Sequence, residues 1–270
     1  MKKVRLDQLV FERGLTPSRE RAKTSIMAGL VYVNGQKETK SGASFPEDVE
    51  ITVKGDAVPY VSRGGLKLEK ALKVFPVSAQ DAVCVDFGAS TGGFTDVLLQ
   101  NGAARVYAID VGYGQLAWSL RQDRRVVCME RTNVRYVTHE QVPEEIDLLT
   151  ADLSFISLRL VLPAAAGLLK DSGCMVCLVK PQFEAGKEKV GKKGVVRDPA
   201  VHKEVLENFL AFVPETGFTC AGLDYSPIRG PEGNIEYLAF LKKGGGEPPA
   251  FDLDRLVADS HAFHQSVEEK

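Results

Sequence analysis

The sequence predicts an α/β protein in which helices cover a mostly parallel sheet, with a small α+β module in front of it. From residue 66 onward, strand-like apolar runs alternate with segments of helical periodicity, an order typical of parallel sheets. The first 55 residues instead show two short helical patterns followed by strands around an Asn-Gly pair, the strongest short hairpin signal. We therefore divide the chain into residues 1–57, a linker at 58–65 and residues 66–270.

The N-terminal module begins with a predicted helix. Leu6, Leu9 and Val10 recur at helical spacing, and Gly14 ends the pattern. Ser18 is placed to cap a second helix. The stretches LVYV and VEITV follow as strands.

The larger part of the chain contains five strand-like runs before two late strands. Helices are predicted between and after these strands, and the chain closes with a short acidic amphipathic helix. The predicted strands are 82–88, 105–112, 126–130, 146–155, 174–180, about 218–225 and about 235–242, and the predicted helices are 66–75, 94–102, 202–213 and 251–267.

Composition is that of an ordinary globular protein, with a formal net charge of −2. Residues 1–40 carry nine Lys and Arg against four Asp and Glu, which suggests an anionic partner at that end. No secretory signal and no run of 18 apolar residues is present, so we expect a cytoplasmic protein that does not enter a membrane. Cys174 and Cys177 would point to opposite faces of a strand, and we expect no metal site.

The stretch VDFGASTGGFTD predicts a nucleoside-binding turn between a strand and a helix. Gly88 permits a tight turn, and Gly92 and Gly93 would let a ligand approach the backbone. Asp110 ends the next strand, 22 residues beyond Gly88, where an acid can bind ribose hydroxyls. The spacing differs from that of dinucleotide sites and favours S-adenosylmethionine (SAM), with Asp86 either binding the methionine ammonium or fixing the loop.

Two charged residues follow predicted strands. Lys180 ends a buried strand just before Pro181, although lysines are almost never buried without a partner. Asp152 ends the preceding strand. Ligands of such sheets bind beyond the carboxyl ends of the strands, so we expect both side chains in one crevice.

Two further charged residues have less decisive patterns. Lys67 lies near the start of a helix, where the helix dipole disfavours a cation, so it is either solvated or held for a purpose. Lys70 and Lys73 are expected to be ordinary surface residues. Glu236 lies within a predicted strand, and the pattern is equally compatible with a solvated face and with a buried, paired carboxylate.

The loop at 185–199 is rich in glycine and cations. Its charge suggests contact with phosphates, and a plain solvated loop remains the alternative. Its cationic residues are Lys187, Lys189, Lys192, Lys193 and Arg197.

Several motifs together carry a family resemblance. The segment RLDQLVFERGLTPSRERAKTSIMAGLVYVNG resembles an S4 RNA-binding domain, and the remainder resembles the FtsJ-type methyltransferases. The combination closely resembles the TlyA family of SAM-dependent rRNA 2′-O-methyltransferases, some of which are named hemolysins. The motifs that carry it are VSRGGLKL, DFGASTGGFTD, DVGYGQLAWSL, ERTN, ADLSFISL, LVKPQFE and GNIEYL.

The resemblance implies a Rossmann-like methyltransferase sheet and a Lys-Asp-Lys-Glu catalytic set, which matches Lys67, Asp152, Lys180 and Glu236. It implies SAM as cofactor and cytidine 2′-hydroxyls of ribosomal RNA, in 30S or 50S subunits, as substrate. The linker tetrapeptide RAWV of some members is VPYV here. The residues expected to contact SAM are Asp86, Gly88, Ser90, Gly92, Gly93, Phe94, Asp110, Asn133 and Asp152. Those expected to contact RNA are Arg5, Arg19, Arg21, Lys23, Arg63, Lys187, Lys189, Lys192 and Lys193.

In this interpretation Lys180 is the general base that takes the proton of the ribose hydroxyl, while Lys67 and Glu236 fix the hydroxyl and the amines. Asp152 would orient the amine of Lys180. Two other classes compete with an enzyme: a membrane-active hemolysin, and a catalytically silent RNA-binding assembly factor. The sequence offers no membrane-spanning segment in support of the hemolysin, and the four intact polar residues argue against the silent assembly factor.

Overall fold

The computed structural model describes residues 3–16, 18–54 and 58–268, and the chain divides into two compact units, Met1–Gly65 and Leu66–Lys270. Residues 55–57, where the sequence predicts the first domain to end, lie outside the described residues.

In the part of the first unit that the structure describes, two short helices accompany two small antiparallel sheets. Strand β1 pairs with β4, and β2 pairs with β3 on one side and β5 on the other. Sequence patterns predicted both helices and the hairpin but not the β1–β4 pair. The elements are β1 (Lys3–Arg5), α1 (Leu6–Glu12), α2 (Arg19–Met27), β2 (Val31–Val33), β3 (Gln36–Glu38), β4 (Ser44–Pro46) and β5 (Ile51–Val53).

Local chemistry explains these elements. The Ser18 side chain accepts a hydrogen bond from the Arg21 N–H at 3.1 Å and so caps α2 as expected. Asn34 and Gly35 both have positive φ, 50° and 76°, the backbone of a two-residue hairpin turn. Leu6 and Ile26 are fully buried between the helices and the strands.

The second unit is the predicted α/β fold. Its helices are α3 (Gly65–Val74), α4 (Gly93–Gln100), α5 (Trp118–Arg121), α6 (Leu162–Leu168), α7 (Pro181–Glu184), α8 (Pro199–Phe212) and α9 (Leu253–Glu268). Its strands are β6 (Val83–Phe87), β7 (Arg105–Ile109), β8 (Val126–Met129), β9 (Ile146–Ala151), β10 (Leu169–Val179), β11 (Phe218–Tyr225) and β12 (Tyr237–Lys243).

Seven strands form one sheet in the order β11-β12-β10-β9-β6-β7-β8. The strands from β10 to β8 are parallel, whereas β12 runs antiparallel to both of its neighbours. The first residue of β12 therefore lies at the same edge of the sheet as the last residues of β9 and β10. That edge is where ligands bind in such folds.

Two details differ from the sequence-based expectation. Strand β10 begins at Leu169, earlier than predicted, and Glu236 immediately precedes β12 instead of lying inside it. Among the residues that the structure describes, no helix is long and apolar enough to cross a membrane.

Candidate active site

Three charged side chains lie close together at the ends of three neighbouring strands. Asp152 follows β9, Lys180 follows β10 and Glu236 precedes β12. Val179 and Tyr237 are paired in the β10–β12 register, so Lys180 and Glu236 come next to each other at the edge. Lys67, in the first turn of α3, reaches the same point from the helix layer.

The four side chains form an alternating chain of opposite charges, which we call the tetrad. Lys180 Nζ lies 2.6 Å from Asp152 Oδ1, and Lys67 Nζ lies 3.0 Å from Asp152 Oδ2. Lys67 Nζ also donates to Glu236 Oε2 at 2.6 Å. The pattern expectation of a buried, paired Glu236 thus describes its geometry, and the solvated-face alternative does not.

Burial makes these pairs significant. The Lys67 and Lys180 side chains are 6% and 7% exposed and that of Glu236 is 0% exposed. Burial lowers the pKa of Lys67, but the carboxylates of Asp152 and Glu236 outweigh it and raise that pKa above its usual value. Burial likewise raises the pKa of Asp152, and the two ammonium groups outweigh it and lower that pKa. The tetrad therefore keeps Lys67 protonated and Asp152 ionised.

The two lysines are not equivalent. Lys67 has a close contact with each carboxylate, whereas Lys180 has one close contact and lies 3.9 Å from Glu236 Oε1. That oxygen is buried without a hydrogen-bond partner among the described residues. A Cβ added to Gly230 would come within 2.6 Å of it, so a glycine at this position leaves room for the carboxylate.

A first cavity of about 690 Å³ opens beside the tetrad, within the range of about 300–1,000 Å³ usual for small-molecule sites. Gly88, Ser90, Asp110, Asn133 and Asp152 line it, all of which the sequence predicted as SAM contacts. The Asp110 carboxylate accepts hydrogen bonds from the Ser90 N–H at 2.8 Å and the Gly112 N–H at 2.7 Å. Each of its oxygens keeps a second lone pair for a ribose hydroxyl.

The other predicted SAM contacts lie behind this cavity, in the buried start of α4. Gly92 has φ +99°, and an added Cβ would collide with Leu116 and Leu120, so its glycine serves the turn and its packing. Gly93 and Phe94 are buried in the first turn of α4.

Asp86 is also fully buried, and it fixes the loop. Its Oδ2 accepts from the Thr95 N–H at 3.0 Å and from Thr95 Oγ1 at 2.7 Å, and its Oδ1 accepts from Thr150 Oγ1 at 3.1 Å. Burial raises the pKa of Asp86 to about 6. Of the two roles that the sequence left open, the geometry favours holding the turn to α4.

A second cavity of about 740 Å³ lies on the other side of the segment 154–157, which lines both cavities. Lys180 and Glu236 line this second cavity, together with Gln182, Phe155 and Phe183. Phe155 is 91% exposed at φ 63° and its ring centroid is 5.2 Å from that of Phe183. Exposed aromatic faces of this kind can stack with nucleobases.

Several predicted RNA contacts in the first unit have internal partners. Arg5 and Arg19 lie 3.0 and 3.2 Å from the buried carboxylate of Asp7. Burial raises the pKa of Asp7, but the two guanidinium groups outweigh it and lower that pKa. Arg21 donates to the backbone carbonyls of residues 58–60. Both Arg5 and Arg19 remain half exposed, so one side of each stays accessible.

The other predicted RNA contacts are more exposed. Lys23 pairs with Glu20 at 3.7 Å on α2, and Arg63 is exposed. In the loop 185–199, Lys189 pairs with Glu204, and the remaining predicted contacts, Lys187, Lys192 and Lys193, are exposed. The far end of this loop is anchored beside the tetrad, because the Asn234 amide bridges the Gly194 carbonyl and the Val196 N–H.

Sequence reasoning missed three residues of this site. Ser154 Oγ lies 3.4 Å from Lys180 Nζ, and Gly230 makes room for Glu236. Lys70, expected to be an ordinary surface residue, is only 21% exposed and contacts Asp224 at 2.8 Å. The spacing of Lys67 and Lys70 on one helix face was the available signal.

The chain is similar to known proteins over most of its length. A family model described as FtsJ-like methyltransferase matches residues 60–243, and one described as S4 domain matches residues 4–44. The Bacillus subtilis protein YqxC, provisionally named an rRNA methyltransferase, is 54% identical over 96% of this chain and 95% of its own. The 16S/23S rRNA (cytidine-2′-O)-methyltransferase TlyA of Mycobacterium tuberculosis is 46% identical over 89% of this chain and 90% of its own. A solved structure of a provisionally named hemolysin from Streptococcus thermophilus is 49% identical with a TM-score of 0.79, covering 100% of both chains.

Proposed function

This chain belongs to the TlyA family of FtsJ-like methyltransferases, and on that premise we propose that it methylates ribose 2′-hydroxyls of ribosomal RNA with SAM as methyl donor. The observation that carries the proposal is the tetrad at the junction of two cavities. Asp152 lines the first cavity, and Lys180 and Glu236 line the second. A donor in one cavity and an acceptor in the other would therefore meet beside Asp152 and Lys180.

The residues of the first cavity fit SAM. Asp110 offers acceptor lone pairs to ribose hydroxyls, and the cavity of about 690 Å³ is large enough for a nucleoside with an amino-acid tail. When bound, SAM supplies a methyl group on a positively charged sulfur.

The acceptor oxygen must lose its proton, and Lys180 is the group proposed to take it. Lys67 is less suited to this role, because two carboxylates hold it protonated. The proton would pass from the 2′-hydroxyl to Lys180 Nζ as the oxygen takes the methyl group, whose bond to the donor sulfur would break and leave a neutral thioether. Asp152 Oδ1, at 2.6 Å, orients that amine and stabilises the ammonium that results.

Glu236 and Lys67 are proposed to position the hydroxyl. The unpartnered Oε1 of Glu236 is an acceptor close to Lys180 Nζ, where the 2′-hydroxyl could donate before its proton is transferred. Lys67 Nζ holds the other oxygen of Glu236 at 2.6 Å and so fixes the direction of Oε1.

Ribosomal RNA is proposed as the substrate because an S4 domain precedes the catalytic unit, the TlyA relative is named as an rRNA methyltransferase, and YqxC is provisionally named as one. Cytidine is the nucleoside named for the TlyA relative. The exposed Phe155 face beside Lys180 supports a substrate nucleotide turned out of its helix, since single-stranded bases are commonly held by stacking.

The proposal is tested by mapping 2′-O-methylation on rRNA. Purified protein and SAM would be incubated with unmethylated 30S and 50S subunits, and with Lys180→Arg protein in parallel. We expect new 2′-O-methyl groups on cytidines of one or both subunits with the native protein alone. SAM-dependent methylation of bases, or none on either subunit, would contradict the proposal.

A further inference from the structure

Lys70 lies one helical turn beyond Lys67 on α3, and its side chain is hydrogen-bonded to the end of β11. Its Nζ donates hydrogen bonds to Asp224 Oδ1 at 2.8 Å and to the Tyr225 carbonyl at 2.6 Å. The ammonium also lies 3.7 Å from the centroid of the Tyr225 ring. The Lys70 side chain is 21% exposed, and its ammonium group makes these three contacts with the protein.

The end of β11 is also where the Glu236 segment is held. Ser226 follows Tyr225, and its N–H donates to the Glu236 carbonyl at 2.8 Å. The Ser226 carbonyl accepts from His264 Nε2 of α9 at 3.0 Å. One short segment therefore contacts α3, the backbone of Glu236 and α9.

We propose that Lys70 is a positioning residue for the methyl-transfer reaction, an inference that rests on the proposed function. It fixes the rotation and height of α3 against the end of β11, whose next residue, Ser226, is hydrogen-bonded to the Glu236 backbone, and so keeps Lys67 Nζ within reach of both carboxylates. Lys67 of the tetrad links α3 to the sheet through Asp152 and Glu236. Lys70 links the same helix to the end of β11, one turn further along.

The position of Lys67 in the first turn of α3 makes a second contact between this helix and the sheet necessary. The N-terminal turn of a helix disfavours a cation, and the long lysine side chain has many rotamers. If α3 rotated, Lys67 Nζ could keep Asp152 or Glu236 but not both, and Glu236 Oε1 would lose its orientation. Small displacements of this kind lower catalytic rates strongly.

The same helix offers a matched control. Lys73 is 68% exposed and pairs at 3.1 Å with Glu69, four residues earlier on α3. Lys73→Met removes the same charge and keeps the same apolar stem as Lys70→Met, but it breaks no described tie between α3 and the sheet.

The test compares steady-state kinetics of the native protein with those of Lys70→Met, Lys73→Met and Lys70→Arg. We expect kcat of Lys70→Met to fall by about 10- to 100-fold, while KM for SAM and for RNA stays near that of the native protein. Lys70→Arg should recover most of kcat, since a guanidinium can bind both Asp224 and the Tyr225 carbonyl. Lys73→Met should be close to the native protein.

A double-mutant cycle with Asp224→Ala separates positioning from a general loss of stability. If the two groups act together, Lys70→Met combined with Asp224→Ala should lower kcat no further than Lys70→Met alone. Equal kcat in the Lys70→Met and Lys73→Met proteins, a change confined to KM for RNA, or fully additive losses would each overturn the inference. An inactive native protein would instead contradict the proposed function, so the two failures are distinguishable.

Discussion

Replacing Lys180 should affect turnover far more than stability. In Lys180→Met, Asp152 loses its 2.6 Å partner but keeps Lys67 at 3.0 Å, so no buried charge is left alone. Loss of one charge-assisted hydrogen bond costs about 1.5–3 kcal/mol of unfolding free energy. Loss of a general base lowers the rate by roughly 10²–10⁴.

Lys180→Arg distinguishes a base from an electrostatic clamp. It retains the positive charge beside Asp152, but a guanidinium stays protonated and cannot accept the hydroxyl proton. We therefore expect Lys180→Arg to be about as slow as Lys180→Met, although it should be the more stable of the two.

Lys67→Met is the matched comparison, because Lys67 bridges both carboxylates. Its removal leaves the fully buried Glu236 without its close cation, and breaking a buried pair in this way costs about 3–5 kcal/mol. The order of stability loss should thus be Lys67→Met first and Lys180→Met second.

The assay is single-turnover transfer of a labelled methyl group at saturating RNA and SAM, with denaturant unfolding of each variant measured separately. Saturation removes any contribution from weaker binding. Native-like rates for Lys180→Arg would refute the base assignment, and a greater stability loss in Lys180→Met than in Lys67→Met would refute the charge arrangement.

Three further predictions concern the cofactor turn and the RNA surface. Asp110→Ala should weaken SAM binding by about 1.5–3 kcal/mol, and calorimetry that gives an unchanged Kd would contradict the ribose contact. The pKa of Asp86 is about 6 in the folded protein, raised from 3.8. As the pH rises from about 4 to 6, the unfolded state therefore releases this proton first, and the unfolding free energy should fall by roughly 3 kcal/mol through this group. Asp86→Asn should lack that component when denaturant midpoints are compared across the same pH range, and an unchanged pH dependence would count against the burial of the charge. Lys192→Ser with Lys193→Ser should make the negative slope of log affinity for RNA against log salt shallower by roughly 0.7–0.9 per lost phosphate contact. An identical slope would leave this part of the loop as plain solvated surface.

Much of the fold and half of the tetrad can be predicted from local sequence. The alternation of apolar runs and helical periods defines the α/β unit, and the hairpin at Asn34 follows from turn chemistry. Asp152 and Lys180 are predictable because each directly follows a buried strand, and the ends of parallel strands share one edge. These signals lie within a few residues of the feature that they predict.

Only the tertiary structure shows which charged side chains of the site pair with one another. Glu236 and Lys67 are 169 residues apart, and they meet because antiparallel β12 lies between β10 and β11 and brings its first residue to the catalytic edge. Lys70 and Lys73 have the same type of side chain on the same helix, yet the end of β11 lies against only one of them. Likewise, Asp86 and Asp110 both flank the glycine turn, but one is buried under α4 and the other faces the cavity. Local sequence sets periodicity and strand ends because these depend on neighbouring residues, whereas the pairing of charges depends on how distant segments pack around them.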